Sequence, residues 1–163
     1  MSDIIIRPVV AADLPAVARL AGMLVRYHHD LDPRRYLFIE RVEEGYARFL
    51  GGELADPEAV VICATRGAEI VGYAYGTLEG RDWNALLDRH GAVHDVLVDP
   101  EARGSGVGER LVLEACARLE ALGAPRVVLH TAVQNAAAQA LFAKLGFRAT
   151  MIEMTREAGG GAR

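Results

Sequence analysis

Lysine is almost missing from this chain: of 18 basic residues only Lys144 is a lysine, and the rest are arginines. No basic block occurs and the formal net charge is −4, so nucleic acid is not an expected partner. Cysteine is scarce as well. Cys63 and Cys116 lie far apart in apolar contexts, with no further Cys or His at zinc spacing, so neither a disulfide framework nor a metal site is expected. Both read as reduced core thiols. Although 52% of the chain is hydrophobic, no run approaches the ~18 uninterrupted apolar residues of a membrane helix. The opening MSDIIIRPVV has no basic leader followed by an apolar stretch, so the expectation is a cytoplasmic protein without a membrane partner. Repeats and linkers are absent. The 163 residues suit one domain, expected over 1–157, with a disordered tail at 158–163.

What is present centres on residues 93–122, VHDVLVDPEARGSGVGERLVLEACARLEAL. A short β-branched run around Val96 and Val98 predicts a buried strand, stopped by Asp99-Pro100. Beyond the turn, Val107, Leu111, Ala115, Leu119 and Leu122 fall on one helical stripe. Between them stand Gly104, Gly106 and Gly108. Glycine admits positive φ and close approach to the main chain. The first helical amides have no intrahelical partner, so such a turn makes a seat for a phosphate or pyrophosphate. Arg103 at its lip adds a charge-assisted donor. A glycine-rich turn with no ligand would carry the same residues.

Spacing separates the phosphate-binding turns. A dinucleotide fold requires G-x-G-x-x-G, and here the third glycine comes one place early. A P-loop requires G-K-[ST], and no lysine follows these glycines. A nucleotide-binding domain is therefore disfavoured. The remaining pattern, R-x-x-G-x-G from Arg103 to Gly108 after V-D-P, resembles the acyl-CoA-binding motif of the GNAT superfamily of N-acetyltransferases. A second stretch, NAAAQALFAKLGF from Asn135 to Phe147, is similar to that family's asparagine, alanine-rich helix, aromatic, basic residue and Gly-Phe.

The chain in order predicts a strand at 3–7, a helix from an Asp13 N-cap to about His29, and a second helix from Asp32-Pro33 to Gly51-Gly52. A hairpin follows at 58–66 and 69–79, then an irregular 80–91. After the central strand and helix come a buried strand at 126–131, a short helix opened by Asn135 and ended by Gly146, and a last strand at 147–156. The order predicts an α/β (α+β) mixed sheet of six to seven strands with helices on both faces. It is also the GNAT order. The resemblance covers nearly the whole chain, in motif over 93–147 and in pattern only over the N-terminal third.

The resemblance implies acetyl-CoA as cosubstrate and no metal. Main-chain groups of Val96, Leu97 and Val98 would pair with the pantetheine where the strands near 93–98 and 126–131 splay. Arg103, Gly104, Ser105, Gly106, Val107, Gly108 and Glu109 would hold the diphosphate. Asn135, Phe142 and Lys144 would lie along the same molecule. Asn135 is equally suited to N-cap its helix, and Lys144 to satisfy the last carbonyls of that helix. By the same resemblance a main-chain N–H near Leu97 is the oxyanion donor.

Amine acetylation also needs a base, and the candidates are His94, Asp95 and Glu79. Histidine ordinarily titrates near neutrality. Each of the three could instead play a plain structural part in its strand. Many relatives have tyrosine at the position of Phe142 as proton donor to the leaving sulfur, and phenylalanine has no proton to give. That motivates the alternative of a catalytically silent acyl-CoA-binding regulatory module. The resemblance points to Tyr27, His28 and Asp30 and to Asp82 and Trp83 as acceptor-binding residues, for a primary amine of a small molecule or peptide. It leaves a homodimer open.

Overall fold

The computed structural model describes residues 3–159. Strand β1 (Ile4–Pro8) leads through one 3-10 turn at Ala11–Asp13 into α1 (Leu14–Leu31), followed by α2 (Val42–Glu53). The chain continues as β2 (Ala59–Arg66), β3 (Glu69–Glu79), β4 (His90–Val98), a 3-10 turn at Pro100–Ala102, α3 (Val107–Ala121), β5 (Val127–Leu129) and α4 (Ala136–Lys144). The sheet order is β1-β2-β3-β4-β5. The first four strands pair antiparallel and β5 joins β4 in parallel.

Two apolar layers sandwich this sheet. On one side Val17, Leu20 and Leu24 of α1 and Leu50 of α2 pack on Val61, Cys63, Tyr73 and Leu97. On the other, Val107, Leu111, Ala115 and Leu119 of α3 pack on Ile62, Ala64, Val71 and Ala74. The expected α3 stripe is therefore the buried one, except that Leu122 is 37% exposed. Gly76 allows the close approach of this layer, since a Cβ there would stand 2.6 Å from Ala92 O and 3.3 Å from Leu119 Cδ1.

Several expectations are corrected. Five strands form among the described residues, not six to seven. The last strand at 147–156 is not formed: β5 offers only three residues of edge, and Met151, Ile152 and Met154 stay exposed. Most of the tail expected at 158–163 lies outside the described residues, at 160–163, so that expectation stands neither corrected nor supported; 158–159 form a turn. The second helix begins ten residues later than Asp32, at Val42. Asp32 Oδ1 accepts the amides of Arg34 and Arg35 at 3.1 and 3.3 Å. That makes a local turn which competes with helix, and Arg41 at φ 55° resets the chain just before α2. Gly51 and Gly52 then continue the helix to Glu53, because neither takes the positive φ of a helix terminus. Asp13 does precede α1, but its carboxylate binds Arg7 (2.6 and 2.9 Å) and the Val10 amide (2.9 Å) in place of the helix amides.

Candidate functional site

The glycine turn has the conformation its sequence requires. Gly104 and Gly106 both sit at φ 78°, and a Cβ on either would meet nothing within 4 Å. Gly106 is the N-cap of α3. The first helical bond is Arg110 N–H to Gly106 O, at 3.1 Å. The amides of Val107, Gly108 and Glu109 therefore lack intrahelical acceptors. Ser105 Oγ donates back to Ala102 O at 2.6 Å, and Arg103 Nε to Val98 O at 3.2 Å, which ties the turn to the end of β4. Lys144 Nζ meets Glu109 Oε2 at 2.5 Å, bridging the C-terminus of α4 to the first turn of α3. Asn135 Oδ1 accepts the Ala138 amide at 3.1 Å, so it caps α4. The half-buried Phe142 ring lies 5.9 Å from that of Phe147.

β4 joins this turn to a second group of side chains. It pairs with β5 only from Gly91↔Val127 to Val93↔Leu129, yet with β3 as far as Val98. Beyond Val93 the β5 side of β4 is open among the described residues. Asp99 N–H donates to Val71 O at 2.8 Å, which sets the parity of the ladder. Asp95 and Leu97 turn their main-chain groups to β3, while Val96 and Val98 turn theirs to the open side. The donor expected at Leu97 thus belongs to the β3 ladder, and the Val96 N–H faces the gap.

A β-bulge marks the place where the strands part. Tyr75 lies opposite Asp95 and Gly76 opposite Val93, so His94 is an extra residue with no partner on β3. The extra residue shifts the alternation and brings His94 and Asp95 to the same side as Tyr75. His94 Nε2 is 2.8 Å from Thr77 Oγ1 and 3.2 Å from Glu79 Oε1. Thr77 Oγ1 donates to Glu79 Oε1 at 2.9 Å. Tyr73 OH donates to Asp95 Oδ2 at 3.0 Å, and Tyr75 OH to Glu53 Oε2 at 2.6 Å. Burial pushes the Asp95 carboxyl above its ordinary value, against the opposing pull of the Tyr73 and Tyr46 hydroxyls and of His94. Burial likewise raises the phenols of Tyr46, Tyr73 and Tyr75, so they act as donors.

Tyr46, Phe49, Tyr75, Thr77, Glu79, His94 and Asp95 line a cavity of about 480 Å³. All three candidate bases are among them. Sequence reasoning missed Tyr46, Phe49, Tyr75 and Thr77. Their signals were a helical stripe at 46, 49 and 53 and an alternate polar face at 73, 75, 77 and 79. The residues expected to bind the acceptor lie outside this lining. Tyr27 and Asp30 are exposed near the end of α1, and His28 Nδ1 is bonded to Leu24 O at 3.0 Å. Asp82 holds the amides of Asn84 and Ala85 at 2.8 and 3.0 Å. Trp83 is 73% exposed, its ring 5.1 Å from the Arg81 guanidinium. Among the described residues no group of three His, Cys, Asp or Glu is placed to hold a metal ion, and no helix is long and apolar enough to cross a membrane.

Comparison with known proteins adds an independent line. The profile described as the acetyltransferase (GNAT) family matches residues 23–147. Mycothiol acetyltransferase of Pseudarthrobacter chlorophenolicus is 33% identical over 98 residues, covering 56% of this chain and 28% of that protein. The chain thus spans a little over a quarter of the length of that curated relative. A GCN5-related N-acetyltransferase from Ralstonia eutropha JMP134 superposes with TM-score 0.72 at 22% identity, covering 97% of this chain and all of the other (100%). AAC(6')-Iy in complex with the bisubstrate analogue CoA-S-monomethyl-acetylneamine superposes with TM-score 0.77 at 16% identity, covering 96% and 98% of the two chains. At these identities the structures establish the fold.

Proposed function

The chain belongs to the GNAT acetyltransferase family, and from that premise we propose that it moves an acetyl group from acetyl-CoA to a primary amine of a small molecule or peptide, the amine attacking directly with both substrates bound. The observation that carries this reading is the end of the β4–β5 ladder at Val93, with His94 as the next residue along β4. The opening between the strands and the candidate base are neighbours in the chain. The reading takes 1–157 as one acetyltransferase domain and leaves a homodimer open.

The residues present suit acetyl-CoA. The open space over Gly104 and Gly106 and the free amides at the head of α3 favour the diphosphate, with Arg103 as a charged donor and Ser105 bracing the turn. Lys144 balances the charge of Glu109 beside that anion. The main-chain groups of Val96 and the Val98 N–H turn to the open side and suit pairing with the pantetheine amides as an added strand would, while Val98 O already accepts from Arg103 Nε. Asn135 and Phe142 would lie along the same molecule from α4, Asn135 with its Oδ1 already engaged by the Ala138 amide. When bound, acetyl-CoA supplies an activated carbonyl and a thiol leaving group.

His94 takes the proton from the acceptor's ammonium. A carboxylate at Glu79 can only accept hydrogen bonds, and Thr77 has one proton, which goes to Glu79. Both groups therefore accept from Nε2 of His94, so Nε2 carries the hydrogen and Nδ1 carries the basic lone pair. Glu79 then stabilises the imidazolium as it forms. Asp95, bonded to Tyr73, fixes the bulge rather than moving protons. The Val96 N–H faces the position of the developing oxyanion. Phe142 donates nothing, and a thiol of ordinary pKa ~8.5 would leave as thiolate and take up, through water, the second proton that the amine nitrogen sheds as the tetrahedral adduct collapses.

Purified protein mixed with acetyl-CoA and an amine panel, followed by free-thiol release, tests the reading. Turnover that His94→Ala abolishes supports it. Tight acetyl-CoA binding without turnover on any amine would replace it with the silent binding module. ATP or NAD binding that acetyl-CoA cannot displace would overturn it altogether.

A further inference from the structure

The pocket's walls are aromatic and, His94 apart, the ionisable groups among the described residues that line it are the carboxyls of Glu79 and Asp95 and the phenols of Tyr46 and Tyr75. Tyr46 and Phe49 meet edge to face at 6.4 Å, Phe49 and Tyr75 at 5.4 Å, and Tyr75 leans on His94 at 5.2 Å. Three rings therefore run from α2 across β3 to the bulge. Glu79 and Asp95 line the same cavity, and Glu53 stands behind Tyr75. Among the described residues no arginine or lysine lines it. On α2 the stripe facing the cavity is Tyr46 and Phe49, with Glu53 reaching Tyr75 one turn on. Arg48 lies off that stripe and is exposed. The nearby arginines are engaged elsewhere, Arg26 with Glu43 and Arg41 with Glu44.

Resting on the proposed acetyl transfer with His94 as base, which makes the cavity that His94 lines the acceptor site, we propose that it selects small arylalkyl amines without a carboxylate or phosphate near the amino group. The cavity, about 480 Å³, is within the range of small-molecule sites. An ammonium entering it is attracted by Glu79 and Asp95 and by the ring faces. An aromatic body packs along the row of rings that Tyr46, Phe49 and Tyr75 present to the cavity. A carboxylate or phosphate beside the amine loses its water and gains no cation in return, while meeting two acidic side chains. Discrimination therefore comes from repulsion as much as from attraction.

Matched acceptors isolate the charge. With saturating acetyl-CoA, kcat/KM, referred to the unprotonated amine because the amines differ in basicity, is compared for 2-phenylethylamine, phenylalaninamide and phenylalanine; the last two differ little in size but only phenylalanine carries a carboxylate beside its amine. Expected is a preference of at least about tenfold for the two uncharged-tail acceptors over phenylalanine, roughly one well-placed charge contact. Phe49→Arg, which places a cation on a wall that is 48% exposed, should raise phenylalanine turnover and lower that of 2-phenylethylamine. Equal use of phenylalanine by the natural protein overturns the inference and leaves acetyl transfer standing. If no acceptor releases thiol, acetyl transfer falls, and calorimetric binding to the acetyl-CoA-loaded protein decides the inference alone. There, 2-phenylethylamine binding at least about tenfold tighter than phenylalanine supports it, and equal or undetectable binding of both overturns it.

Discussion

His94 Nε2 stands 3.2 Å from Glu79 Oε1, and the Thr77 hydroxyl touches both groups, at 2.8 and 2.9 Å. The acceptor's proton has a route only if this trio works as one unit. His94→Ala should lower kcat by ~10²-fold or more, the usual scale for losing a general base, and should reshape the pH profile. Glu79→Gln and Thr77→Val should each lower kcat by about tenfold, with KM for acetyl-CoA little changed. Steady-state thiol release checks all three. An unaltered profile in His94→Ala would pass the role to Asp95 or Glu79.

The conformation of the glycine turn proposed to hold the diphosphate was legible in sequence because main-chain geometry is written in glycine spacing. Gly104 and Gly106 take the positive φ their turn requires, and Val107, Leu111, Ala115 and Leu119 are the buried stripe of α3. The cavity lined by the three candidate bases was not. Its wall comes from Tyr46 and Phe49, whose helix starts at Val42, where the left-handed Arg41 and the Asp32 turn override the apolar period from Tyr36 onward. The bulge at His94 was equally hidden, since an extra residue in a strand leaves no mark in composition. The unformed last strand reflects an edge three residues long, a tertiary fact that alternation cannot carry.

Gly106→Glu should weaken acetyl-CoA binding by at least about tenfold. The backbone there is at φ 78° with open space above it, so a side chain projects where the diphosphate is proposed to sit. The left-handed conformation alone costs a non-glycine residue roughly 1–2 kcal/mol, and the carboxylate adds repulsion. Calorimetric titration measures it, with thermal unfolding as the control for folding. Undiminished affinity would falsify the cradle.

Gly76 and Gly45 separate close packing from helix propensity. Gly76→Ala forces a Cβ to 2.6 Å from Ala92 O, an overpacking worth about 1–3 kcal/mol. Its Tm should fall by several degrees, by about 2–4 °C per kcal/mol in a domain of this size. Gly45, inside α2, has nothing within 4 Å of its would-be Cβ. Gly45→Ala should therefore gain up to ~1 kcal/mol from helix propensity. Denaturant midpoints at constant m-value check both.

Asp13 makes one end of the fold acid-sensitive. Arg7 holds its carboxyl below the ordinary value, helped by the Val10 amide. A lowered folded value means the unfolded chain binds the proton more readily, so this contribution is fully present above the ordinary carboxylate pKa of about 3.9 and is lost as pH falls through the folded value. Asp13→Asn should cost about 1 kcal/mol at neutral pH, an allowance that includes screening of the partly exposed Arg7. The cost should shrink as the medium is acidified below about pH 4. Urea unfolding at several pH values follows it.

Asp95 has the opposite sign. Burial raises its folded value above that of the unfolded chain. In the window between the two, the native state holds more protons than the unfolded state, so stability falls as pH rises, and above the window the deficit remains in full. Asp95→Asn removes the ionisation but keeps an oxygen to accept from Tyr73, whose hydroxyl now lies 3.0 Å from Oδ2. The Tm difference, variant minus natural protein, should therefore grow more positive from pH 4 to pH 8. Because Asp13 is the same in both proteins, its acid sensitivity cancels in that difference. A difference that stays flat or narrows with rising pH would mean the carboxylate is held by its tyrosine donors more strongly than burial disfavours it, and Asp95 would then return to the list of bases.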